Sequence, residues 1–335
     1  MLQAAVCGAG HWGSRLIASV QGKSDKIRFA TAVTRDPKNR RDLAERFGIK
    51  LSPSFAEVLA DRAIGAVVLA TPHSQHASEI VAAAEAGKHV FVEKPFTLTR
   101  ASAETAIAAC KAAGITLGVG YNRRYAPAYA DMKRRIDAGE IGTLRHLEGQ
   151  FSGPRSYQTE PANWRSNQVE SPGGSMTARG CHVVDGMVHI AGPVATLFAF
   201  SGRLQLEIDV DDTTSCLLRF ANGVTGYVGT LHAATQFWRI HVFGSKGALE
   251  MRGDSELLVY DLAGNVERIT YNTIDKERAE LEAFADAVAN NVNFIIVPEE
   301  IINTVEVTEA IVASAHSGNA VTIRSGDDSV CSDFG

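Results

Sequence analysis

The chain has 335 residues, 45% of them hydrophobic and 21% charged, with a formal net charge of −5. At ~150 residues per domain that length suggests two domains, each able to bury a core. The slight acidic excess leaves no general footprint for nucleic acid or an anionic membrane, and no apolar run reaches the ~18 residues that a membrane span needs.

From residue 1 to about 120, short apolar runs alternate with helical patterns. Strands are predicted at 2–7, 27–34, 66–69, 89–92 and 116–120, and helices at 12–20, 38–47, 74–86 and 101–113. Thr99 is placed to cap the last helix and Gly114 to close it. Strands this short and continuously apolar, separated by helices, indicate a parallel sheet covered on both faces. The expected domain, 1–121, is therefore α/β and doubly wound.

The second half changes character. A helix is predicted at 126–138 and a strand at 144–151, then a loop rich in Gly, Pro, Ser and Asn over 152–174, then a helix at 176–191. A string of β-rich segments from 194 to 271 is broken by Asn222-Gly223, Gly244 and Gly264-Asn265. Strands joined by tight turns make a large, mostly antiparallel open sheet. Helices at 276–289 and 298–316 precede a final strand at 321–323. The expected organisation is an α+β domain over 122–325 and a polar tail over 326–335. The five cysteines at 7, 110, 181, 216 and 331 are odd in number and form no C-x-x-C pair, which suits reduced thiols and no zinc site. No basic segment precedes an apolar one at the N-terminus, so no signal peptide is read, and the cytoplasm is the expected compartment.

Gly8-Ala9-Gly10-His11-Trp12-Gly13 follows the first predicted strand and opens the first helix. In that context three glycines serve three needs: a tight turn, backbone access for a pyrophosphate, and close helix–strand packing. The helix N-terminus adds unpaired N–H groups and a partial positive charge. A dinucleotide is the expected ligand, with Gly8, Gly10, His11, Trp12 and Gly13 around its phosphates. The end of the second strand then meets the adenosine ribose, and there the chain has Thr34 and Arg35, with Arg40 and Arg41 close behind. Thr34 does not repel a 2′-phosphate and an arginine can pair with one. NADP is favoured over NAD, although Asp36 would serve as a ribose acceptor if the strand ended later.

Two further stretches are informative: Ala66 to Leu69 running through Thr71-Pro72-His73 to His76, and Gly87-Lys88-His89-Val90-Phe91-Val92-Glu93-Lys94-Pro95. With Tyr121-Asn122-Arg123-Arg124-Tyr125, Gly139 to Gly142, Trp164-Arg165, Gly173-Gly174 and Gly180-Cys181-His182, they closely resemble the Gfo/Idh/MocA oxidoreductases over nearly the whole chain. The resemblance implies a Rossmann domain, a nicotinamide cofactor touched by Thr71, Pro72, His73, His76 and Glu93, and a Glu-Lys-Pro triplet ending the strand before the substrate. Lys94 at that strand end would hydrogen-bond the substrate oxygen and favour its alkoxide. His182, with an ordinary pKa near ~6.5, would exchange a proton with the substrate hydroxyl.

Ala178, His182, Asp185 and His189 fall at spacings of 4, 3 and 4 on a helix, hence on one face. That stripe spans two turns with no second cluster, so no metal site is expected. Family members typically carry Asp where this chain has Ala178. The change leaves room for a bulkier or less hydroxylated substrate, and Arg179 beside it could face a carboxylate. Tyr121, Arg123, Arg124, Trp164, Arg179 and Asp185 are the expected substrate-binding residues.

These features point to an NADP-preferring oxidoreductase acting on a secondary alcohol or ketone of a sugar-like or cyclic polyol. It would be a homodimer or homotetramer through the second sheet, without nucleic-acid or membrane partners. Two alternatives stay open: a non-catalytic dinucleotide-binding sensor of the same fold, and a dihydrodiol dehydrogenase or NAD-dependent glycosidase branch.

Overall fold

A computed structural model describes residues 1–154 and 160–323. In chain order the first elements are β1 Leu2–Cys7, α1 His11–Val20, β2 Ile27–Val33, α2 Arg41–Phe47, β3 Lys50–Ser52, α3 Phe55–Ala60, β4 Ala66–Leu69, α4 His76–Glu85, β5 His89–Glu93, α5 Arg100–Ala113 and β6 Leu117–Gly120. There follow α6 Pro127–Asp137, β7 Leu144–Ser152, α7 Cys181–Ala191, β8 Val194–Gly202, β9 Thr213–Phe220, β10 Thr225–Leu231, β11 Phe237–Gly244, β12 Gly247–Arg252, β13 Glu256–Asp261 and β14 Val266–Thr270. The chain closes with α8 Lys276–Asn290, α9 Pro298–Ser317 and β15 Val321–Thr322. Two compact units emerge: Met1–Tyr125 with Ile274–Ile302, and Ala126–Thr273 with the described chain from Asn303 on.

The first unit is a six-stranded parallel sheet in the order β3-β2-β1-β4-β5-β6. Reversal of strand order at β1/β4 is where doubly wound sheets bind ligands, at the carboxyl ends of the strands. All four residues of β4 and the last four of β1 are buried, as a sheet covered on both faces requires. Thr99 caps α5 by accepting the Ser102 N–H, and Gly114 ends it at φ 65°. β3 and α3 were not expected from the sequence: a three-residue strand and a six-residue helix are too short to carry a period.

Residues Ile274–Ile302 return to this unit, which a single boundary after residue 121 does not contain. Phe284 of α8 packs edge-on against Phe91 of β5, centroids 5.6 Å apart, and Phe294 lies 6.2 Å from the same ring. Burying one such ring is worth about 1.5–3 kcal/mol. Polar ties line the same helix: Arg15 to Glu277 at 2.9 Å, Arg278 to the Ser19 carbonyl at 2.9 Å and Lys26 to Asp286 at 2.7 Å.

The second unit is built on a nine-stranded sheet, β14-β13-β12-β11-β7-β10-β9-β8-β15, antiparallel except where β10 lies parallel to β7. One face carries the core, including Leu147, Val228 and Ile240, and packs against Val183 and Met187 of α7. The helix sits close because β7 has Gly149 under it: a Cβ there would come within 2.2 Å of Val183 Cγ1. A π-helical turn, Met176–Gly180, opens α7 and is closed by the Cys181 N–H on the Met176 carbonyl. The stripe expected from Ala178 to His189 is therefore not one α-helical face. The wider turn breaks its phase before His182, and regular spacing holds only from His182 on.

Cys7, Cys110, Cys181 and Cys216 are all buried. Among the described residues no helix is long and apolar enough to cross a membrane. Cys331 and the expected tail at 326–335 lie outside the described residues.

Candidate functional site

The loop from β1 to α1 has the shape that its glycines predict. Gly8 takes φ 96°, and a Cβ on it would lie 2.5 Å from the Ala70 carbonyl oxygen. Gly13 on the first turn of α1 meets Gly8 itself, with 2.2 Å between a would-be Cβ and the Gly8 oxygen. Gly10 has nothing within 4 Å of its would-be Cβ, so the backbone there is open to a ligand. Gly10 also caps α1 without a side-chain acceptor, which leaves the first N–H groups of the helix pointing outward. His11 is exposed and Trp12 half-buried. These features fit a dinucleotide pyrophosphate.

Beyond β2, the Thr34 N–H bonds the Ser52 carbonyl at 3.0 Å, and Arg35 is exposed. Asp36 is already engaged: its carboxylate takes the Lys38 N–H at 3.0 Å and the Asn39 amide at 2.6 Å, capping the 3-10 turn Pro37–Arg40. With β2 ending at Val33, Thr34 and Arg35 are the strand-end residues, and Arg40 lies half-buried at the far end of the turn.

After β4 comes Thr71, whose hydroxyl donates to Glu79 at 2.5 Å. Burial raises the Glu79 carboxyl, and this hydrogen bond partly offsets it; burial, and then the Glu79 charge, push up the Cys7 thiol. Pro72 caps a short 3-10 turn, and His73, 7% exposed, meets the His76 ring edge-on at 5.8 Å. His76 is fully buried, with Nδ1 3.0 Å from the Pro95 carbonyl and 3.2 Å from that of Phe96, and Nε2 3.2 Å from the Thr71 carbonyl. It clasps the Thr71 loop to the segment after Lys94. Lys94 directly follows β5, and its peptide bond to Pro95 is cis.

Glu93, at the end of β5, is 5% exposed, and its Oε2 accepts the Lys94 N–H at 3.3 Å. Burial lifts this carboxyl to about 7, against the pull of Trp12 and Lys94. Of the residues after β6, Tyr121 is buried and Arg123 half-buried. Arg124 is 7% exposed and ion-paired with Glu300 at 2.8 Å.

In the second unit His182, in the first turn of α7, is 6% exposed, its ring 6.1 Å from that of Phe151. The Arg179 guanidinium lies 5.4 Å from the same Phe151 centroid, so one aromatic ring serves both. Trp238 flanks Phe151 at 5.1 Å. Asp185 is 1% exposed one turn on. His189 joins the Tyr129 hydroxyl at 3.0 Å. Trp164 begins a 3-10 turn and carries the Arg165 guanidinium 3.9 Å above its ring. Phe151 and Trp238 were not singled out in the sequence; strand alternation around β7 and β11 marks them only as core.

Residues 2–121 match the oxidoreductase family with an NAD-binding Rossmann fold, and residues 129–250 match the GFO/IDH/MocA C-terminal domain. The chain is 33% identical to scyllo-inositol 2-dehydrogenase (NAD(+)) of Bacillus subtilis (strain 168), over 74% of this chain and 73% of that protein. It is 27% identical to D-xylose 1-dehydrogenase (NADP(+)) 2 of Haloferax volcanii, over 92% and 95% of the two chains. A solved levoglucosan dehydrogenase in complex with NADH and levoglucosan shares the fold, with a TM-score of 0.89 at 22% identity over 97% of this chain and 100% of that one. The protein belongs to the GFO/IDH/MocA oxidoreductase family.

Proposed function

We propose that the protein is an NADP-preferring dehydrogenase that interconverts a secondary alcohol and the matching ketone on a sugar-like or cyclic polyol. The observation that carries this reading is the β1–α1 loop, where Gly8 and Gly13 have no room for a side chain and Gly10 is open. When bound, the nicotinamide gives or takes a hydride at C4. Lys94 hydrogen-bonds the reacting oxygen and favours its alkoxide form. His182 takes the hydroxyl proton in one direction and returns it in the other. Tyr121, Arg123, Arg124, Trp164, Arg179 and Asp185 shape and orient the substrate.

Thr34 and Arg35 support the preference for a 2′-phosphate, since Asp36 is occupied by its own turn. The relatives named for inositol and xylose, one with NAD(+) and one with NADP(+), support the polyol class and leave the cofactor choice to this strand end. Assembly as a cytoplasmic homodimer or homotetramer through the second sheet goes with this reading, and exposed Phe200 and Leu217 on its strands support it.

The test is a panel of polyols and ketoses with NADP(H) and NAD(H), followed at the nicotinamide absorbance. Lys94→Ala and His182→Ala should each cut kcat by ~10²–10⁴ while nucleotide binding, read by fluorescence, is retained. Wild-type rates in both variants would overturn the roles given to them. Tight nucleotide binding with no turnover across the panel would indicate a sensor instead.

A further inference from the structure

Thr71 stands where β4 hands the chain on toward α4, directly against the glycine loop. The Ala70 N–H donates to the Cys7 carbonyl at 2.8 Å, and a Cβ at Gly8 would lie 3.0 Å from the Thr71 nitrogen. Strand order gives this residue a definite side. The sheet runs β3-β2-β1-β4-β5-β6, and the end of β2 is where such folds meet the adenosine ribose. The end of β4 lies across β1 from it, toward the nicotinamide half.

Two side chains of α4 reach back and hold Thr71. His76 Nε2 lies 3.2 Å from its carbonyl oxygen, and Glu79 accepts its hydroxyl hydrogen at 2.5 Å. His76 and Glu79 are three residues apart, hence on one face of the helix. Thr71 and Glu79 are both half-buried. Among the described residues the Thr71 bond is the only hydrogen bond of the Glu79 side chain, and no cation pairs with it. Burial raises this carboxyl, and the same bond opposes the rise. A charge so placed, without an ion pair, adds little to the fold. What it does control is one hydroxyl.

A threonine hydroxyl has one hydrogen to donate and two lone pairs that accept. Glu79 takes the hydrogen, so toward a ligand Thr71 can only accept. A phosphate oxygen, itself an acceptor, does not match it. The donors on the nicotinamide half are the ribose hydroxyls and the carboxamide N–H groups. We propose that Glu79 is a positioning residue: it holds the Thr71 hydroxyl so that its oxygen accepts a hydrogen bond from an O–H or N–H on the nicotinamide half of the nucleotide. A carboxylate behind the hydroxyl also makes that oxygen a stronger acceptor. The inference rests on the nucleotide site proposed above and on nothing assigned to Lys94 or His182.

Calorimetric titration of the whole chain tests it. Wild type is titrated with NADPH and with NADH, and the tighter of the two is then used throughout. Glu79→Leu should weaken its binding about 10-fold, and Thr71→Val by a similar factor, the scale of one hydrogen bond. The double variant should match Thr71→Val within about twofold, because both changes remove the same bond. Glu79→Gln, which keeps an oxygen that accepts, should recover most of the loss. The matching ADP fragment, with a 2′-phosphate where NADPH is the tighter, lacks the nicotinamide half and should bind all the variants as it binds wild type. Without nucleotide, the melting midpoint of Glu79→Leu should not fall, whereas a role confined to holding α4 in place lowers it. The 3-acetylpyridine analogue of the nucleotide has no carboxamide N–H. If the variants still differ with it, the donor is the ribose; if the difference vanishes, the donor is the carboxamide, and either result upholds the inference. Losses that add in the double variant, an equal loss for the ADP fragment, a Gln variant no better than Leu, or a lower midpoint overturn it and leave the nucleotide site standing. A wild type that binds neither nucleotide overturns both.

Discussion

In the first unit the ligand-ready feature is a loop defined by missing side chains; in the second it is a histidine defined by the side chains around it. Gly8 and Gly13 shape their turn through close backbone approach to Ala70 and to each other, and Gly10 leaves the backbone between them open. His182 takes its place from a π-helical turn, from the Phe151 ring and from a helix seated over Gly149. The first arrangement is set within a few residues of sequence. The second depends on strands from across the chain, so the two should respond differently to substitution.

A pair of variants in the loop should give the largest effects. Gly13→Ala forces a Cβ to 2.2 Å from the Gly8 oxygen; it should cost ~1–3 kcal/mol of stability and at least ~100-fold in nucleotide affinity. Gly10→Ala has open space and an ordinary φ of −75°, so its melting should be unchanged and only nucleotide affinity should fall. Calorimetric melting and fluorescence titration of both separate shape from access. If the two variants behave alike, the glycines do not divide the work.

In the second unit Gly149→Ala should lower stability by ~1–3 kcal/mol by lifting α7. It should reduce kcat with nucleotide affinity unchanged, the reverse of Gly10→Ala. Arg35→Ala should lower the ratio of NADP to NAD use by ~10- to 100-fold, the worth of one charge-assisted hydrogen bond. An unchanged ratio of kcat/KM values would remove Arg35 from cofactor choice.

The smallest effect concerns Asp131 on α6. Burial alone would raise it, but hydrogen bonds from Tyr271, Arg135 and Arg134 hold it down at about 2. A carboxyl lowered on folding stabilises above its ordinary value of 3.8, and that contribution is lost as pH falls through about 2. Asp131→Asn should cost about 1 kcal/mol near neutrality after solvent screening. It should also flatten the acid limb of the melting curve.

The same contrast explains what could be read from residues alone. The glycine loop, the alternation of strands with helices from β1 to β6 apart from β3 and α3, and the Thr99 and Gly114 boundaries of α5 are local, and each was legible. The sheet of the second unit was legible as a class, because turn residues at 222–223 and 264–265 punctuate its strands. The π-helical turn was not, since nothing between Met176 and Gly180 departs from an α-helical pattern and tertiary packing selects the wider turn. Nor was the destination of α8: its amphipathic sequence marks a helix, while its partners Phe91, Arg15 and Ser19 lie more than 180 residues away in the chain.

Residues Ile274–Ile302 complete a unit that begins at Met1, and this bears on how the protein is made. A nascent chain emerging N-terminus first exposes the Phe91 side of its nucleotide-binding sheet until α8 has left the ribosome, nearly the full length later. The intervening segment, Ala126–Thr273, has the opportunity to fold before the fold around it closes. Late truncations that spare every glycine of the loop would still leave that sheet uncovered.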